Sequence, residues 1–364
     1  MRRLLFNLHL YAALIAGAFI FVLGLTGSIM AFEQEIDHVL HWRLSYVKPQ
    51  GRVLSVGEIG AAIENAFPGE PIGAYELSTA PNISYRAELN RGVVSIDPYT
   101  GKVRGVRRRA DLVDQTLNYI HQIHLRLAIR RPFDPGKKIM SYAGVVMLFL
   151  LLSGVYLWWP YQRVTIQWER WSMRTWLDIH NAVGIFSFVF LLVLATTGVV
   201  IGFEEQTTPL FYRLTGSKPS NEPDVQILAP PGAKAITLDQ ALEIARAALP
   251  GAAPFEINVP QTKEPYYVRL RFSEDRTPGG RSRVTVDPYT GKVLFAESSR
   301  TAPAGRRMVN ANRAIHTGDI FGIPSKTILS LASLMAVAQL VSGLAMWWKR
   351  RTVRKRVERS AVGA

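Results

Sequence analysis

Histidine stands at matched positions in two copies of an apolar segment. Residues 9–35 and 180–206 align without a gap, so that His9 corresponds to His180. Each copy is an apolar run of membrane-spanning length that opens with the histidine on its polar flank. An ionisable side chain at the edge of a bilayer helix is costly and marks a functional site by default. Two such imidazoles could hold one metal ion between two helices.

A second histidine pair is predicted near the other ends of the apolar segments. Ile123-His124 aligns with Ile315-His316, which favours His124 and His316 as partners. Residues 111–130 have helical periodicity, and His121 lies three residues before His124 on the same face. Because Ile120-His121 aligns too, His121 stays an alternative ligand at this second site.

Two facing imidazoles are typical of a low-spin haem iron. A zinc site would usually require four ligands, and no clustered carboxylate or cysteine lies near these histidines in the sequence. The chain has no cysteine at all, which excludes disulfides, iron–sulfur clusters and covalently attached c-type haem. The residues therefore predict two haems of b type: an inner one held by His9 and His180, and an outer one held by His124 and His316.

The remaining histidines and two matched acids carry weaker signals. His38 and His41 follow the first apolar segment and have no counterpart in the other copy, so we expect surface histidines. Glu33 and Glu204 match each other; they could cap a helix, pair with arginine or lie near iron. Small residues recur inside the apolar segments, which suits close helix packing and equally a flat macrocycle: Thr26-Gly27, Thr197-Gly198, Gly154 and Gly343.

Four apolar segments, 10–32, 139–159, 181–203 and 327–348, are long enough to cross a bilayer. The first is too long for a signal-peptide core, and we expect it to be a retained anchor. We accordingly divide the chain into transmembrane helix 1 (8–33), an outer unit (34–110), an interfacial helix and turn (111–136), transmembrane helix 2 (137–160), an inner loop (161–175), transmembrane helix 3 (176–204), a second outer unit (205–310), a haem-side segment (311–325), transmembrane helix 4 (326–348) and a basic tail (349–364).

Lysine and arginine beside the spans set the orientation. They cluster before the first span, between the second and third, and after the fourth, which predicts cytoplasmic termini and two long periplasmic loops in a bacterial inner membrane. The net charge of +15 is thus explained largely by tails that meet anionic lipid, and nucleic acid is not an expected partner. The residues that carry this argument are Arg2, Arg3, Arg163, Arg170, Arg174, Lys349, Arg350, Arg351, Arg354, Lys355 and Arg356. Arg104 and Arg107 to Arg109 form an outer basic cluster outside this rule.

The two long loops resemble each other. Residues 55–69 and 237–251 each have an amphipathic helix pattern that ends in Pro-Gly, with Thr237 as the N-cap and Asp239 in the first turn of the second. Alternating apolar and polar runs follow at 85–89, 93–96, 266–272 and 283–286, and both loops then contain DPYTGKV, at 97–103 and 287–293. Asp97 and Asp287 are turn residues by this pattern. The fold class is an α+β integral membrane protein with four transmembrane helices in a two-fold internal repeat and two periplasmic α+β units.

These features resemble the PepSY-associated transmembrane family. The matching motifs are the helix and sheet before D-P-x-T-G-K, S-G-x-x-x-W-W at 153–159 and 342–348, and IHTGDIFGIP at 315–324. Members include iron-regulated inner-membrane proteins that resemble siderophore–iron reductases. The resemblance implies a ferric siderophore as substrate, of hydroxamate type.

Taken together, these patterns predict a di-haem b-type conduit that reduces Fe(III)-siderophore in the periplasm and releases Fe(II). Its electron donor is left open between a cytoplasmic protein and a membrane quinol. Two alternatives remain: a membrane-anchored binding or peptidase-regulating protein without redox activity, and a quinol-linked cytochrome b with another acceptor. The particular siderophore and the oligomeric state do not follow from the sequence.

Overall fold

The computed structural model describes residues 1–129, 134–162, 164–168, 171–223, 227–261 and 263–362, with side chains as far as 354. Arg163 and Arg170, and the side chains of Lys355 and Arg356, which the orientation argument uses, lie outside this part. The chain forms two compact units. Unit 1 comprises Met1–Phe32, Leu117–Thr207 and Asn312–Ala364, and unit 2 comprises Glu33–Thr116 and Thr208–Ala311.

The described residues form these helices and strands in chain order. The helices are α1 (Arg2–Met30), α2 (Glu33–Leu40), α3 (Trp42–Ser45), α4 (Val56–Ala66), α5 (Leu112–Arg126), α6 (Pro135–Trp158), α7 (Met173–Gly202), α8 (Glu204–Leu214), α9 (Leu238–Ala248), α10 (Ala304–Thr317) and α11 (Ile323–Val362). The strands are β1 (Ile72–Glu76), β2 (Tyr85–Leu89), β3 (Gly92–Ile96), β4 (Val103–Arg108), β5 (Ala253–Asn258), β6 (Tyr266–Arg271), β7 (Ser282–Val286) and β8 (Val293–Glu297).

Four helices in unit 1 are long and apolar enough to cross a membrane, by length and composition: α1, α6, α7 and the Ile323–Arg354 part of α11. They coincide with the four predicted spans. Each helix begins four to eight residues before the predicted apolar core, because backbone hydrogen bonds continue into the polar flank where hydropathy falls. Ser172 begins α7 by accepting a hydrogen bond from the Thr175 amide, as an N-cap serine should.

The four long helices pack as a ring in which each contacts two neighbours. The contacts run from α1 to α6, from α6 to α7, from α7 to α11 and from α11 back to α1. Helices α1 and α7, which carry the repeated segment, are therefore diagonally opposite. This arrangement places His9 and His180 on helices that face each other across the bundle.

Unit 2 contains one antiparallel sheet of eight strands in the order β4-β3-β2-β1-β5-β6-β7-β8. The two α+β units expected from the sequence are therefore not separate sheets. Strand β1 pairs with β5, with Tyr75 opposite Ile257, and joins the two halves. The alternation pattern predicted β2, β3, β6 and β7 but missed both central strands. Strands β1 and β5 have a partner on each side, and their hydrogen-bonding edges would otherwise be exposed.

The core of unit 2 lies between the sheet and helices α4 and α9. Ile59 and Ile63 from α4 and Ala241 and Ala245 from α9 are buried together with alternate strand residues such as Val94. Both helices begin with a capping box, at Ser55 and Glu58 in α4 and at Thr237 and Gln240 in α9. The predicted N-cap at Thr237 is confirmed.

Asp97 and Asp287 close the two DPYTGKV turns, as the sequence predicts. Asp97 Oδ1 accepts hydrogen bonds from the amides of Tyr99 and Thr100, at 2.9 and 3.3 Å. Asp287 Oδ1 does the same with Tyr289 and Thr290, at 2.8 and 3.0 Å. The valine that ends each motif begins the next strand, β4 or β8.

Candidate functional site: four histidines in two pairs

Helices α5 and α10 bring His124 and His316 face to face in unit 1. Their ring centres are 6.5 Å apart, and the ring planes are inclined at 50°. Two metal–nitrogen bonds of about 2.0 Å, with the two imidazole rings that make them, span roughly 6.3 Å between ring centres. The separation therefore fits one metal ion held between the two imidazoles. His121, one turn earlier on α5, is not the residue that stacks against His316.

Threonine hydroxyls determine which nitrogen of each outer histidine carries the proton. Nδ1 of His124 lies 2.9 Å from Thr26 Oγ1, and Nδ1 of His316 lies 2.9 Å from Thr197 Oγ1. Each hydroxyl donates its own proton to a backbone carbonyl one turn earlier, at 2.5 Å for Thr26 and 2.7 Å for Thr197. Because a hydroxyl has one proton, it must accept from the imidazole. Nδ1 is then protonated, and Nε2 keeps the lone pair that a metal requires.

The inner histidines are held in the same way by serines. His9 Nδ1 lies 2.8 Å from Ser153 Oγ, whose proton goes to the Phe149 carbonyl at 2.6 Å. His180 Nδ1 lies 3.0 Å from Ser342 Oγ and 3.1 Å from the Gln339 carbonyl oxygen. A carbonyl can only accept, so Nδ1 of His180 is a donor by an independent criterion. His9 and His180 are also close enough to interact electrostatically.

A glycine follows each of these four hydroxyl residues and packs against the same histidine. A Cβ atom would lie 3.1 Å from His124 Cε1 at Gly27 and 3.0 Å from His316 Cε1 at Gly198. The corresponding distances are 3.5 Å from His9 at Gly154 and 3.7 Å from His180 at Gly343. The outer glycines therefore allow an approach that no other residue permits without displacement, whereas the inner glycines have ordinary contact distances. These hydroxyl–glycine pairs link the Thr-Gly and Ser-Gly motifs of the sequence to the histidines.

Burial keeps the outer histidines neutral. It lowers the pKa of His124 to about 3, with His316 and His121 acting in the same direction. Burial also lowers the pKa of His316 to about 4, although a hydrogen bond with the Leu194 backbone opposes the change. Neutral imidazoles retain one nitrogen lone pair at physiological pH. The lowered pKa values and the hydrogen bonds at Nδ1 therefore lead to the same conclusion, that Nε2 is free of a proton.

One turn before His316, α10 presents an arginine where α5 presents His121. Arg313 lies 3.7 Å from a carboxylate oxygen of Glu204, one of the two matched acids. Of the roles the sequence left open for Glu204, the structure shows pairing with arginine. Arg313 therefore stands at the position of α10 that corresponds to His121 in α5, and it lies close to the Glu204 carboxylate.

The expectation that His38 and His41 are surface residues is wrong, because both are partly buried in unit 2. His41 Nδ1 lies 2.9 Å from Asp37 and Nε2 lies 3.2 Å from Asp111. Asp37, His41 and Asp114 also form a possible metal-binding triad, with ligand atoms within 4.8 Å of one another. The sequence analysis did not predict helix α2, which contains Asp37. His41 follows the last residue of α2, and its amide donates to the Asp37 carbonyl at 2.9 Å, so the two side chains are one helical turn apart.

Arginine side chains already supply positive charge to this triad. Arg107 Nη1 lies 3.0 Å from Asp114 and 3.0 Å from His41, and it also pairs with Asp37. Arg86 pairs with the other Asp37 oxygen at 2.8 Å. Burial alone would raise the pKa of Asp37, but Arg107 and Arg86 outweigh it and hold that pKa below its usual value. Arg107 of the outer basic cluster is therefore an internal partner of acids.

The sequence profile described as the PepSY-associated TM region matches residues 6–350. This range includes His9, His124, His180 and His316, their hydroxyl partners and the whole of the sheet. No curated protein matches the chain.

Proposed function

The chain belongs to the PepSY-associated TM family, and on that premise we propose that it is a transmembrane di-haem electron conduit that reduces ferric siderophores. The observation that carries the proposal is the repeated tautomer arrangement. Four partly buried histidines each place Nδ1 against an oxygen that can accept its proton, and this assignment leaves four Nε2 lone pairs for metal. His9 and His180 would hold an inner haem, and His124 and His316 an outer one.

The donor set fits haem iron better than a structural cation. Neutral imidazoles in pairs, without cysteine or carboxylate ligands, are the axial set of b-type cytochromes. A glycine packs against each imidazole, and the hydroxyls fix the orientation of the imidazole in the way that outer partners of metal-bound histidines do. A haem bound in this manner supplies reversible one-electron exchange.

Iron is the substrate on the periplasmic side. Hydroxamate oxygens are hard donors and favour Fe(III) over Fe(II), so adding one electron weakens the chelate and frees the metal. The resemblance to siderophore reductases, among them the ferrioxamine B reductase FoxB, supports the choice of a hydroxamate complex. The contribution of this chain is to orient the four imidazoles through their hydroxyl partners and to place one pair near each end of the bundle.

Haem content tests the proposal directly. The purified protein should give a pyridine haemochrome of b type with about two haems per chain. His124→Ala and His316→Ala should each remove the outer haem, and His9→Ala or His180→Ala the inner one. His121→Ala is the matched control and should keep the low-spin spectrum. A colourless preparation from haem-replete cells would exclude the conduit and favour a binding protein.

Activity is tested with reduced protein and a ferric hydroxamate. Fe(II) should appear in a ferrozine trap, while the iron-free siderophore should leave the protein reduced. His316→Ala should abolish this reaction although its inner site still takes electrons. His9→Ala should still react when dithionite is the donor, because dithionite reaches the outer haem directly. The same variant should fail with a cytoplasmic donor, whose electrons must pass through the inner haem. Equal behaviour of both variants with both donors would refute the series arrangement.

A further inference from the structure

A cavity of about 400 Å³ lies at the end of the bundle that begins with Arg2. Its wall consists of residues from α6 and the segment after it, together with the first residues of α1: Arg2, Leu152, Val155, Tyr156, Trp159 and Pro160. The volume is within the range of small-molecule sites, and the lining is apolar and aromatic with one guanidinium. This cavity is not used by the proposed haem sites.

The cavity faces outward from the bundle. Leu152, Tyr156 and Trp159 are 58, 47 and 62% exposed, and they recur on α6 with helical spacing. In a spanning helix such residues face lipid, so a ligand can enter from the bilayer. Arg2 is fixed beside the opening by a 2.8 Å hydrogen bond to the Leu157 carbonyl and lies 4.8 Å from the centre of the Tyr161 ring.

A face of α6 next to the cavity contacts the inner histidine. Ser153, which accepts the hydrogen bond from His9, lies directly after Leu152 in the chain. Consecutive residues of an α-helix are about 100° apart around its axis, so the cavity and the inner site are on adjacent faces of one helix, whose diameter with side chains is about 10–12 Å. A redox molecule in the cavity would be within one helix width of the inner metal site.

The internal repeat shows that this corner is specialised. At the matched positions of the second copy, Met173 replaces Arg2 and Ala345 replaces Tyr156. An apolar residue of the first copy corresponds to an apolar residue in the second, since Val341 stands at the position of Leu152. The guanidinium of Arg2 and the hydroxyl of Tyr156 are therefore present in one copy and replaced by apolar side chains in the other, whereas Trp159 corresponds to Trp348 and Pro160 to Lys349.

We propose that this cavity is a quinol site and that a membrane quinol is the electron donor of the conduit. A quinol is apolar, soluble in the bilayer and carries two oxygens that need hydrogen-bond partners, which the Arg2 guanidinium and the Tyr156 hydroxyl offer. The overall reaction balances as one quinol and two ferric chelates giving quinone, two protons and two ferrous ions. The proposal rests on the proposed function for its acceptor.

Quinol oxidation is measured with the holoprotein in lipid nanodiscs and decylubiquinol as the probe. The quinol should reduce the inner haem, as followed by its absorbance. Tyr156→Ala and Arg2→Met, which introduce the residues of the second copy, should slow this reduction at least tenfold. Leu152→Trp should fill the cavity and have the same effect, whereas the matched variant Val341→Trp should not. Dithionite should reduce all of these variants normally, which shows that they are folded and haem-loaded.

Binding is measured separately with a photoreactive azidoquinone. The label should map to Arg2 or to residues 152–160, which line the cavity, and should be lost in Leu152→Trp but not in Val341→Trp. Labelling elsewhere, or equal quinol rates in Leu152→Trp, Val341→Trp and the unchanged protein, would overturn the quinol site while leaving the haem proposal intact. A colourless protein would overturn the haem proposal instead, and the labelling result would still decide whether the cavity binds quinone.

Discussion

The hydrogen bonds of four hydroxyl groups determine the chemistry of four histidines. Each hydroxyl donates its proton to a backbone carbonyl of its own helix and accepts a hydrogen bond from an imidazole. The four residues are Ser153, Ser342, Thr26 and Thr197. A metal-bound histidine whose Nδ1–H has an acceptor is a stronger electron donor and is held in one orientation. The hydroxyls are therefore expected to act on both the affinity and the potential of a bound metal.

Replacing Thr197 with valine should test this role. The change keeps the shape of the side chain but removes the acceptor for His316 Nδ1, so haem affinity at the outer site should fall by roughly 10- to 100-fold. The midpoint potential of that haem should rise, because a weaker donor stabilises the ferric state less. Redox titration of the purified protein measures both effects.

Ser187→Ala is the control for that experiment. Ser187 is buried on the same helix, and its hydroxyl donates to carbonyls of that helix, at 2.7 Å for Val183 and 3.4 Å for Gly184. Its substitution should leave affinity and potential unchanged. Equal effects of the two variants would mean that Thr197 acts only through helix packing.

At the scale of elements, short helices outside the long bundle position the reactive side chains. Helices α5 and α10 direct His124 and His316 at glycines of α1 and α7, and α2 connects Asp37 to Arg107 on strand β4. Both contacts depend on close approach between elements that are distant in the sequence. A substitution at either contact should therefore change the distance or the charge pairing between these elements.

Gly198→Ala and Gly27→Ala should disturb the outer site, whereas Gly343→Ala and Gly154→Ala should not disturb the inner one. The new methyl group would lie 3.0 or 3.1 Å from an outer imidazole but 3.7 or 3.5 Å from an inner one. An outer ring must then shift by a few tenths of an ångström, which should reduce outer haem occupancy and alter its low-spin electron paramagnetic resonance signal. Similar loss at both sites would show that helix stability, and not contact with the rings, is responsible.

The ion-pair network around Asp37 should make unit 2 sensitive to acid. Its pKa in the folded protein is below the unfolded value of about 3.9, so the network stabilises the fold above that value. The stabilisation should be lost as the pH falls through the folded pKa, because the unfolded chain then binds the proton more readily. Thermal unfolding in nanodiscs between pH 5 and pH 2 measures this loss.

Asp37→Asn should remove the acid-dependent part of the stability. It should also lower the stability at neutral pH by about 3 kcal/mol, because Arg107 and Arg86 lose the carboxylate that they share and the buried Arg107 guanidinium keeps only its pair with Asp114. Glu58→Gln serves as the comparison, since its pair with Arg52 is exposed and should contribute little. An unchanged pH profile in Asp37→Asn would assign the acid sensitivity to another group.

For the whole molecule, the decisive property is which side of the membrane each histidine pair faces. The basic residues beside the spans predict that both termini are cytoplasmic. The His9 and His180 pair then lies near the cytoplasmic face, and the His124 and His316 pair near the periplasm. Reduction of a periplasmic substrate by the proposed conduit requires this order.

Reporter fusions measure the orientation. Fusions after Lys48 and Ser220 should report the periplasm, and fusions after Arg170 and Val357 should report the cytoplasm. The physical reason is the excess of lysine and arginine in the short inner segments. A cytoplasmic signal at Ser220 would place histidines of one pair on opposite sides and remove the basis for two sites in series.

Local sequence pattern was enough to predict the four apolar spans, the two capped helices and the two Asp-Pro turns. Apolar length identifies a bilayer helix, Thr237 caps its own helix, and Asp97 accepts from amides two and three residues ahead. Repetition within the chain also indicated that His9 and His180 correspond. The partner of each histidine was decided only by tertiary packing, because Ser153 and Ser342 reach the rings from neighbouring helices and no local pattern states which helices touch. The same holds for the joining of two predicted sheets through β1 and β5, and for Arg107 beside Asp37, where the burial of charge depends on contacts between distant parts of the chain.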